Sequence, residues 1–329
     1  MSRAQQTSTV EQNTGGAVAP YVAGKNFCIN GGLDIWQRGT SFSTGSIYNA
    51  DRWWGNNSVV TTTWSQESTI VPTGFTYSMK VNQATNAAYT TTAQPIETAN
   101  AIKLTGQTVV LSMYLASSTS MTLYPSLSYS TTADNAPSGT WTSITPSTGG
   151  SFVINSTTFT RCSTTFVIPS TAKSLKIEII NTSQAAGTSY YFTGVQLELG
   201  SVATAFSRAG GTLQGELAAC QRYYWRTTPG TVNGSVAPTG SAKSTTVITT
   251  PITNPVAMRI TPTSVDYSSV YAYDGVTSIG ISSVTLGTTV SATPFLSSID
   301  ATGVGMTLYR PYYLYTNSTS GYLGFSAEL

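Results

Sequence analysis

The chain has 329 residues, of which 40% are hydrophobic and only 9% charged, with a formal net charge of +2. That length allows two domains, or one domain with an appended module, and enough apolar side chains for a sizeable core. Lys and Arg are scattered rather than clustered, which argues against a nucleic-acid partner, and no run approaches the ~18 apolar residues that membrane insertion needs.

Ser and Thr make up roughly 30% of the residues, far above ordinary usage. Thr and the 19 Tyr favour pleated, half-buried surfaces, whereas Ser, Asn and the 29 Gly fill turns, so the composition predicts an all-β chain. There is no His, which removes the commonest general base and metal ligand. Cys28, Cys162 and Cys220 match no zinc spacing, and their odd number argues against a complete disulfide framework. They are expected as free thiols, used as small apolar residues in a protein made and assembled in a reducing cytoplasm.

Residues 1–25 are polar, rich in Gly and Ala, aperiodic, and without an apolar signal-peptide core. Two readings stand for them: an unstructured arm, and a docking arm that orders only in an assembly. Asn26–Trp54 then concentrates two Arg, two acids and three Trp. It opens on a strand-like alternation of Phe27, Ile29 and Leu33, and is expected to supply the strand that closes a β-sandwich. Arginines beside tryptophans suit cation–π stacking and bidentate pairing next to a core.

Strand signals continue at Val59–Ser65 and Tyr77–Val81, and Ile96–Lys103 allows one short helical turn. Thr108–Leu115 reads as a central strand buried on both faces, followed by a strand at Leu123–Ser130. Asp134–Gly150 reads as a surface loop around Trp141, before strands at Phe159–Val167, Leu175–Ile180 and Tyr190–Glu198. About nine strands over residues 26–208 suit a two-sheet jelly roll. Ala209-Gly210-Gly211 breaks the pattern, and Thr212 is placed to cap a helix within a connector of residues 209–227. Leu213, Leu217, Cys220 or Gln221, and Tyr224 form its apolar stripe. That stripe suits packing on the sandwich and also a symmetry axis shared with copies of the chain. Residues 228–329 return to short strands punctuated by proline, expected at Thr245–Thr250, Ala257–Ile260, Ser264–Tyr271, Ser278–Leu286, Gly305–Tyr315 and Gly321–Ala327. These predict a second, smaller β-sandwich.

Several of these stretches carry a family resemblance. Asn26–Phe42 reads N-x-x-I-N-G-G-x-D-I-W-Q-R-G-T-S-F, and Tyr48–Trp53 reads Y-x-A-D-R-W. Together they resemble the opening of a jelly-roll domain, of the carbohydrate-binding-module kind, found in many bacteriophage tail-fibre and virion-appendage proteins. Val195–Gly200, Glu216–Tyr224, the P-x-x-M-R-x-x-P-T run at Pro255–Thr263 and the closing Gly324–Leu329 are similar to pieces of the same family. The resemblance implies a virion protein, a tail fibre or receptor-binding appendage, assembled in the host cytoplasm and recognising host-surface glycan. It further implies a homotrimer whose residues 1–25 meet other virion proteins. A structural virion component, such as a head fibre, decoration or tail adaptor protein, is the alternative. A polysaccharide depolymerase is a third reading.

The chemistry-bearing residues favour binding over catalysis. Glycosidases need two carboxylates at a defined separation, but the 13 acids here form no local motif. A Ser-His-Asp triad, a G-x-S-x-G elbow and a phosphate-binding Gly loop are all missing from the sequence. The chain is therefore expected to be non-enzymatic, with no cofactor. A structural calcium of the carbohydrate-binding jelly-roll type would draw on Asp34 and Asp51, but no spacing motif supports one. Asp51 and Glu198 are expected as structural partners of Arg38 or Arg52, with Trp36 and Trp53 in the core. Trp64, Trp141 and Trp225 are candidates for stacking on sugar rings, Trp141 foremost because it lies on a long loop. Tyr309, Tyr312, Tyr313 and Tyr315 with Arg310 form a second candidate cluster. Alternating Tyr on a strand also suits a side half core and half surface.

Overall fold

The computed structural model describes residues 24–43, 45–58, 61–288 and 292–329. The arm expected at residues 1–25 therefore lies, but for Gly24 and Lys25, outside the described residues, as do Val59 and Val60 at the start of one expected strand. Two compact units are present. The first holds the described residues up to Leu217 together with Leu329, and the second is Ala218–Glu328.

The first unit begins with β1 (Ser41–Phe42), β2 (Ile47–Tyr48), β3 (Trp54–Asn57), β4 (Thr62–Glu67), β5 (Ser78–Gln83) and β6 (Thr90–Ile96). A short helix α1 (Thr98–Ala101) and a 3-10 turn (Ile102–Leu104) follow, the helical turn that Ile96–Lys103 suggested. Then come β7 (Thr108–Ser117), β8 (Met121–Ser130), β9 (Thr142–Ser143), β10 (Phe152–Ile154), β11 (Thr160–Val167), β12 (Ser174–Asn181) and β13 (Thr188–Leu199). They form two antiparallel sheets, ordered β1-β4-β5-β13-β7-β11 and β10-β8-β12-β6-β3-β2, with β9 added to β8. The unit is a jelly-roll sandwich. Val109, Leu111, Met113 and Leu115 of β7 face Leu175, Ile177 and Ile179 of β12 in one continuous core, as alternate residues of facing strands should. Trp64 lies fully inside this core, and its indole donates to the Thr92 hydroxyl at 3.0 Å. It fits only because Gly55 opposite has no side chain: a Cβ there would lie 2.6 Å from the Trp64 ring. Trp64 is a core residue and not a ligand platform.

The opening motif does not form the expected strand. Residues 26–33 run as turns, with Asn30 and Leu33 both at φ 56°, so side chains rather than a sheet ladder satisfy the backbone. Asn26 donates to Val195 O and Ser207 O, both at 3.0 Å, and its Oδ1 accepts from Cys28 N and Leu197 N. Gln94 brackets Ile29, accepting from its N–H at 2.8 Å and donating to its carbonyl at 2.7 Å. Asn30 donates to Ile35 O and Asp51 O, while the Trp53 indole donates to Asn30 O at 3.0 Å. Trp53 is fully buried, edge-on to Phe192 at 5.3 Å, whereas Trp36 is half-buried against the core with its indole on Leu33 O.

In the second unit, α2 (Leu213–Gln221) straddles the boundary, and Thr212 caps it by accepting from Gly215 N at 3.1 Å. The expected apolar stripe is corrected. Glu216 and Cys220 are the buried positions, Leu213 is 49% exposed, and Tyr224 already belongs to a strand. That strand is β14 (Tyr224–Thr227), followed by β15 (Ser235–Ala242), β16 (Val247–Thr253), β17 (Ser264–Ser268), β18 (Val270–Tyr273) and β19 (Ser278–Gly280). β20 (Ser283–Leu286), β21 (Leu296–Thr302), β22 (Pro311–Thr316) and β23 (Tyr322–Ser326) complete the unit. A three-stranded sheet, β14-β23-β17, and a seven-stranded sheet, β19-β18-β22-β15-β16-β21-β20, make the smaller sandwich. Ser269, at φ 53°, splits the expected strand Ser264–Tyr271 in two. The Ala257–Ile260 stretch is not a strand. There Arg259 ties the end of α2 to the C-terminal tail, donating to Ala327 O at 3.0 Å and Glu328 O at 3.1 Å while its own N–H bonds Arg222 O. Trp225 is buried against Phe325, so it too is core.

Candidate functional site

The strand register of the second unit assembles a tyrosine face. On β22, Tyr312 and Leu314 point into the core, so Tyr313 and Tyr315 must point out. On β18, Val270 and Ala272 are core and Tyr271 and Tyr273 point out. Pairing sets Tyr273 opposite Tyr313 and Tyr271 opposite Tyr315. The ring centroids are 5.3 Å apart across the first pair, 5.8 Å across the second, and 6.1 Å between Tyr313 and Tyr315. Tyr313 is 41% exposed, while Tyr315 is largely covered and shares a short hydrogen bond with Ser278. Offset and edge-on rings at these separations attract one another, so the patch is braced before any ligand arrives.

The loop 303–310, which leads into β22, presents Tyr309, which is 81% exposed and held at φ 64°. A bulky residue in that region is an outlier and marks a position the surroundings enforce. Tyr309 N donates to Ala242 O at 2.8 Å, Met306 N to Thr245 O, and Thr307 N to the Tyr312 hydroxyl at 2.9 Å. Tyr312 is therefore corrected from a binding residue to a core residue, 1% exposed, whose hydroxyl props the loop. Arg310 pairs with Asp274 at 2.8 Å and joins the loop to the β18–β19 turn. Backbone N–H groups of Thr277 and Val276, with Arg310, hold the Asp274 carboxyl below its usual range. Tyr271, Tyr273 and Asp274 are not among the candidate binding residues that the sequence suggests, because only strand pairing brings them to Tyr313.

Trp141 lies elsewhere, in the first unit. It is half-buried, its indole donates to Ala136 O at 3.0 Å, and the Lys176 ammonium sits 5.1 Å from its ring centre. Lys176 in turn pairs with Glu178 at 3.0 Å, and Glu178 accepts from Ser128 at 2.6 Å. Lys176 covers one face of the Trp141 ring, which narrows what a ligand could stack on.

The motif residues occupy structural positions. Asp51 accepts from Gln37 N and Gln37 Nε2 and lies 4.0 Å from Arg38, whose guanidinium also stacks over Tyr48. Arg52, fully buried at φ 71°, donates to Pro95 O at 2.7 Å. Glu198 is corrected. Its described partners are Thr204, Gln196 and Lys25, rather than Arg38 or Arg52. Burial pushes its carboxyl up, but the Thr204 hydroxyl and backbone, Gln196 and Lys25 outweigh that and hold it low. Three other described acids are engaged similarly: Asp34 with Arg208 at 2.8 Å, Asp266 with the Tyr224 and Tyr322 hydroxyls, and Asp300 with Lys243 and Thr249. Among the described residues no three His, Cys, Asp or Glu gather as a metal site, and no helix is long and apolar enough to cross a membrane.

The molecule is thus an all-β protein, a jelly-roll sandwich and a smaller β-sandwich joined through a short helix. No protein-family model matches the chain, and no curated protein matches its sequence. Among solved structures it is similar to a candidate sugar-binding protein of Bacteroides thetaiotaomicron, at 13% identity and a TM-score of 0.39, over 53% of this chain and 100% of that one. A CBM22-1 xylan-binding domain from Paenibacillus barcinonensis is similar at 12% identity and a TM-score of 0.35, over 55% of this chain and 98% of that one. The enzymatically active domain of tailspike protein 4 from bacteriophage CBA120 is similar at 16% identity and a TM-score of 0.34, over 53% of this chain and 21% of that one.

Proposed function

We propose that this is a non-enzymatic bacteriophage virion protein, a tail fibre or receptor-binding appendage, that recognises host-surface glycan. The observation that carries the binding role is the braced, outward-facing tyrosine surface around Tyr313, together with the exposed Tyr309 on the loop that leads into the same strand. Rigid aromatic faces edged by hydroxyls suit the apolar faces and polar rims of pyranose rings. Two further features support the reading. The Asn26–Trp53 motif resembles phage appendage domains, and the carboxylates of Asp34, Glu178, Asp274 and Asp300 are engaged as ion-pair partners. The protein acts as a homotrimer, docks to other virion proteins through residues 1–25, and assembles in the host cytoplasm before residing in the virion.

The test is binding of purified, labelled protein to candidate host cells and their extracted surface polysaccharide. Wild type is compared with Tyr313→Ala and Trp141→Ala, with oligomeric mass recorded on the same samples. Saturable binding by a trimer, weakened by Tyr313→Ala, is the expected result. No binding by a correctly assembled oligomer to any permissive host refutes the receptor role in favour of a structural virion component. Release of reducing ends from the polysaccharide refutes the non-enzymatic reading.

A further inference from the structure

We propose that the first unit holds a second sugar subsite, for a single neutral pyranose, in a cleft at the interrupted edge of β8. On that edge β8 pairs with β10 only at Met121–Leu123 and with β9 only at Ser128–Tyr129. Ile144 N extends the second contact by donating to Leu127 O at 2.8 Å. Between them, among the described residues, Tyr124–Ser126 has no strand partner on this side. Backbone groups alternate sides along a strand, so the residue whose groups face the gap is Pro125, two positions from Leu127. Proline has no N–H to give, which blocks the edge against strand addition by a polypeptide and leaves the gap for a different occupant.

The loop 144–151 arches across this gap instead of filling it. It is anchored to β11, with Ser147 N donating to Thr165 O at 2.7 Å, Thr165 N to Thr148 O at 3.2 Å, and the two threonine hydroxyls 2.5 Å apart. Gly149 and Gly150 sit at φ 72° and 112°, and a Cβ on either would lie 2.8 Å from a neighbour, Ser163 O for the first and Pro146 for the second. The arch therefore depends on two glycines and three hydrogen bonds, and the space beneath it is preformed. That space is an open cleft of about 450 Å³, inside the range of roughly 300–1,000 Å³ typical of small-molecule sites. Tyr124, Ser126, Ser143, Thr145 and Ser151 line it above a floor that includes the buried Phe166.

The lining contains hydroxyls, one half-buried aromatic ring and an apolar floor, and no charged side chain. A charged ligand would lose hydration there without a counter-charge, and a purely apolar one would strand the hydroxyls. A neutral polyhydroxylated ring meets both halves. This inference rests on the glycan-binding reading but concerns a different site, so each can fail alone.

The experiment is calorimetric titration of the full chain with neutral oligosaccharides: glucans, galactans, mannans and N-acetylhexosamine oligomers. Ser126→Trp fills the cleft from the strand, and Thr145→Trp fills it from the exposed loop should the first variant not fold. Tyr313→Ala removes the other site. The expected result is two sites per chain in wild type, with either tryptophan variant halving the stoichiometry and Tyr313→Ala halving it independently. One site abolished by Tyr313→Ala and untouched by both tryptophans overturns the cleft and leaves the proposed function standing. One site abolished by the tryptophans alone keeps the cleft and overturns the tyrosine face. Wild type that binds none of the panel overturns the cleft, and the tyrosine face is then judged on host polysaccharide alone.

Discussion

Replacing Tyr313 by Ala should separate ligand binding from folding at one position. Its ring makes two aromatic contacts, to Tyr273 at 5.3 Å and Tyr315 at 6.1 Å, and is 41% exposed. Each such contact contributes roughly 0.5–1.5 kcal/mol, so the truncation costs about 1–3 kcal/mol of stability. That lies within the roughly 5–15 kcal/mol by which domains are folded, so the variant should remain native with a lower melting temperature. For the ligand, loss of a central aromatic anchor costs upward of ~2 kcal/mol. At 1.4 kcal/mol per decade this is a weakening of about 30-fold. Tyr313→Phe keeps the ring and both of its neighbours and should bind within about threefold of wild type, the range expected for one peripheral hydroxyl. The assay is the dissociation constant on immobilised host polysaccharide, with thermal unfolding measured on the same preparations. A folded Tyr313→Ala protein that binds within twofold of wild type would refute the argument that this face is the receptor surface.

Three further outcomes follow from the packing and the buried acids. Gly55→Ala drives a Cβ to 2.6 Å from the fully buried Trp64 ring, an overpacking that should cost about 1–3 kcal/mol and show as a lower calorimetric melting temperature; an unchanged transition would mean the core yields there. Burial pushes the Glu216 carboxyl up despite its bonds from Gly210 N and Asn30 N, so the folded state holds the proton more tightly than the unfolded one. Its contribution is intact below the unfolded value and is lost as pH rises toward the folded one, so Glu216→Gln should flatten the fall in urea midpoint over that window. Glu198 has the opposite sign. Its carboxyl is held low, its stabilisation is present above the unfolded value and lost as pH falls through the folded one, and Glu198→Gln should reduce the acid loss of stability. Identical pH profiles for wild type and either variant would contradict these assignments.

What the sequence made legible depended on whether burial left a periodic trace. Thr108–Ser117 was readable because the strand is apolar nearly throughout, lying between β13 and β11. Thr90–Ile96 was not, although it lies inside its sheet. Its inward residues include Thr92 and Gln94, which are polar because they hold the Trp64 indole and the Ile29 backbone. Ser235–Ala242 was hidden by Pro238, and its register against β22 is irregular. The alternation of Phe27, Ile29 and Leu33 suggested a strand, but Asn26, Asn30 and Gln94 supply the hydrogen bonds a ladder would have made. At the tyrosine cluster the period-2 rule required one of Tyr312 and Tyr313 to be buried, yet nothing local set the phase. Loop 303–310, hung from the Tyr312 hydroxyl and Ala242 O, sets it.

The clasp around Asn26 and Asn30 also orders events during synthesis. The Asn26 amide finds its acceptor at Val195, 169 residues later, and Asn30 N meets Glu216 after a further wait, at a separation of 186 residues. At roughly 5–20 residues per second on the ribosome, the opening segment spends about 10–30 s without the strand that fixes it. Throughout that interval Cys28, Leu33 and Trp53, all fully buried in the finished unit, lack the C-terminal strand of the core that covers them. The first unit therefore closes from its last piece backwards. A nascent chain stopped short of residue 195 would carry most of a sandwich without the acceptors that fasten its beginning.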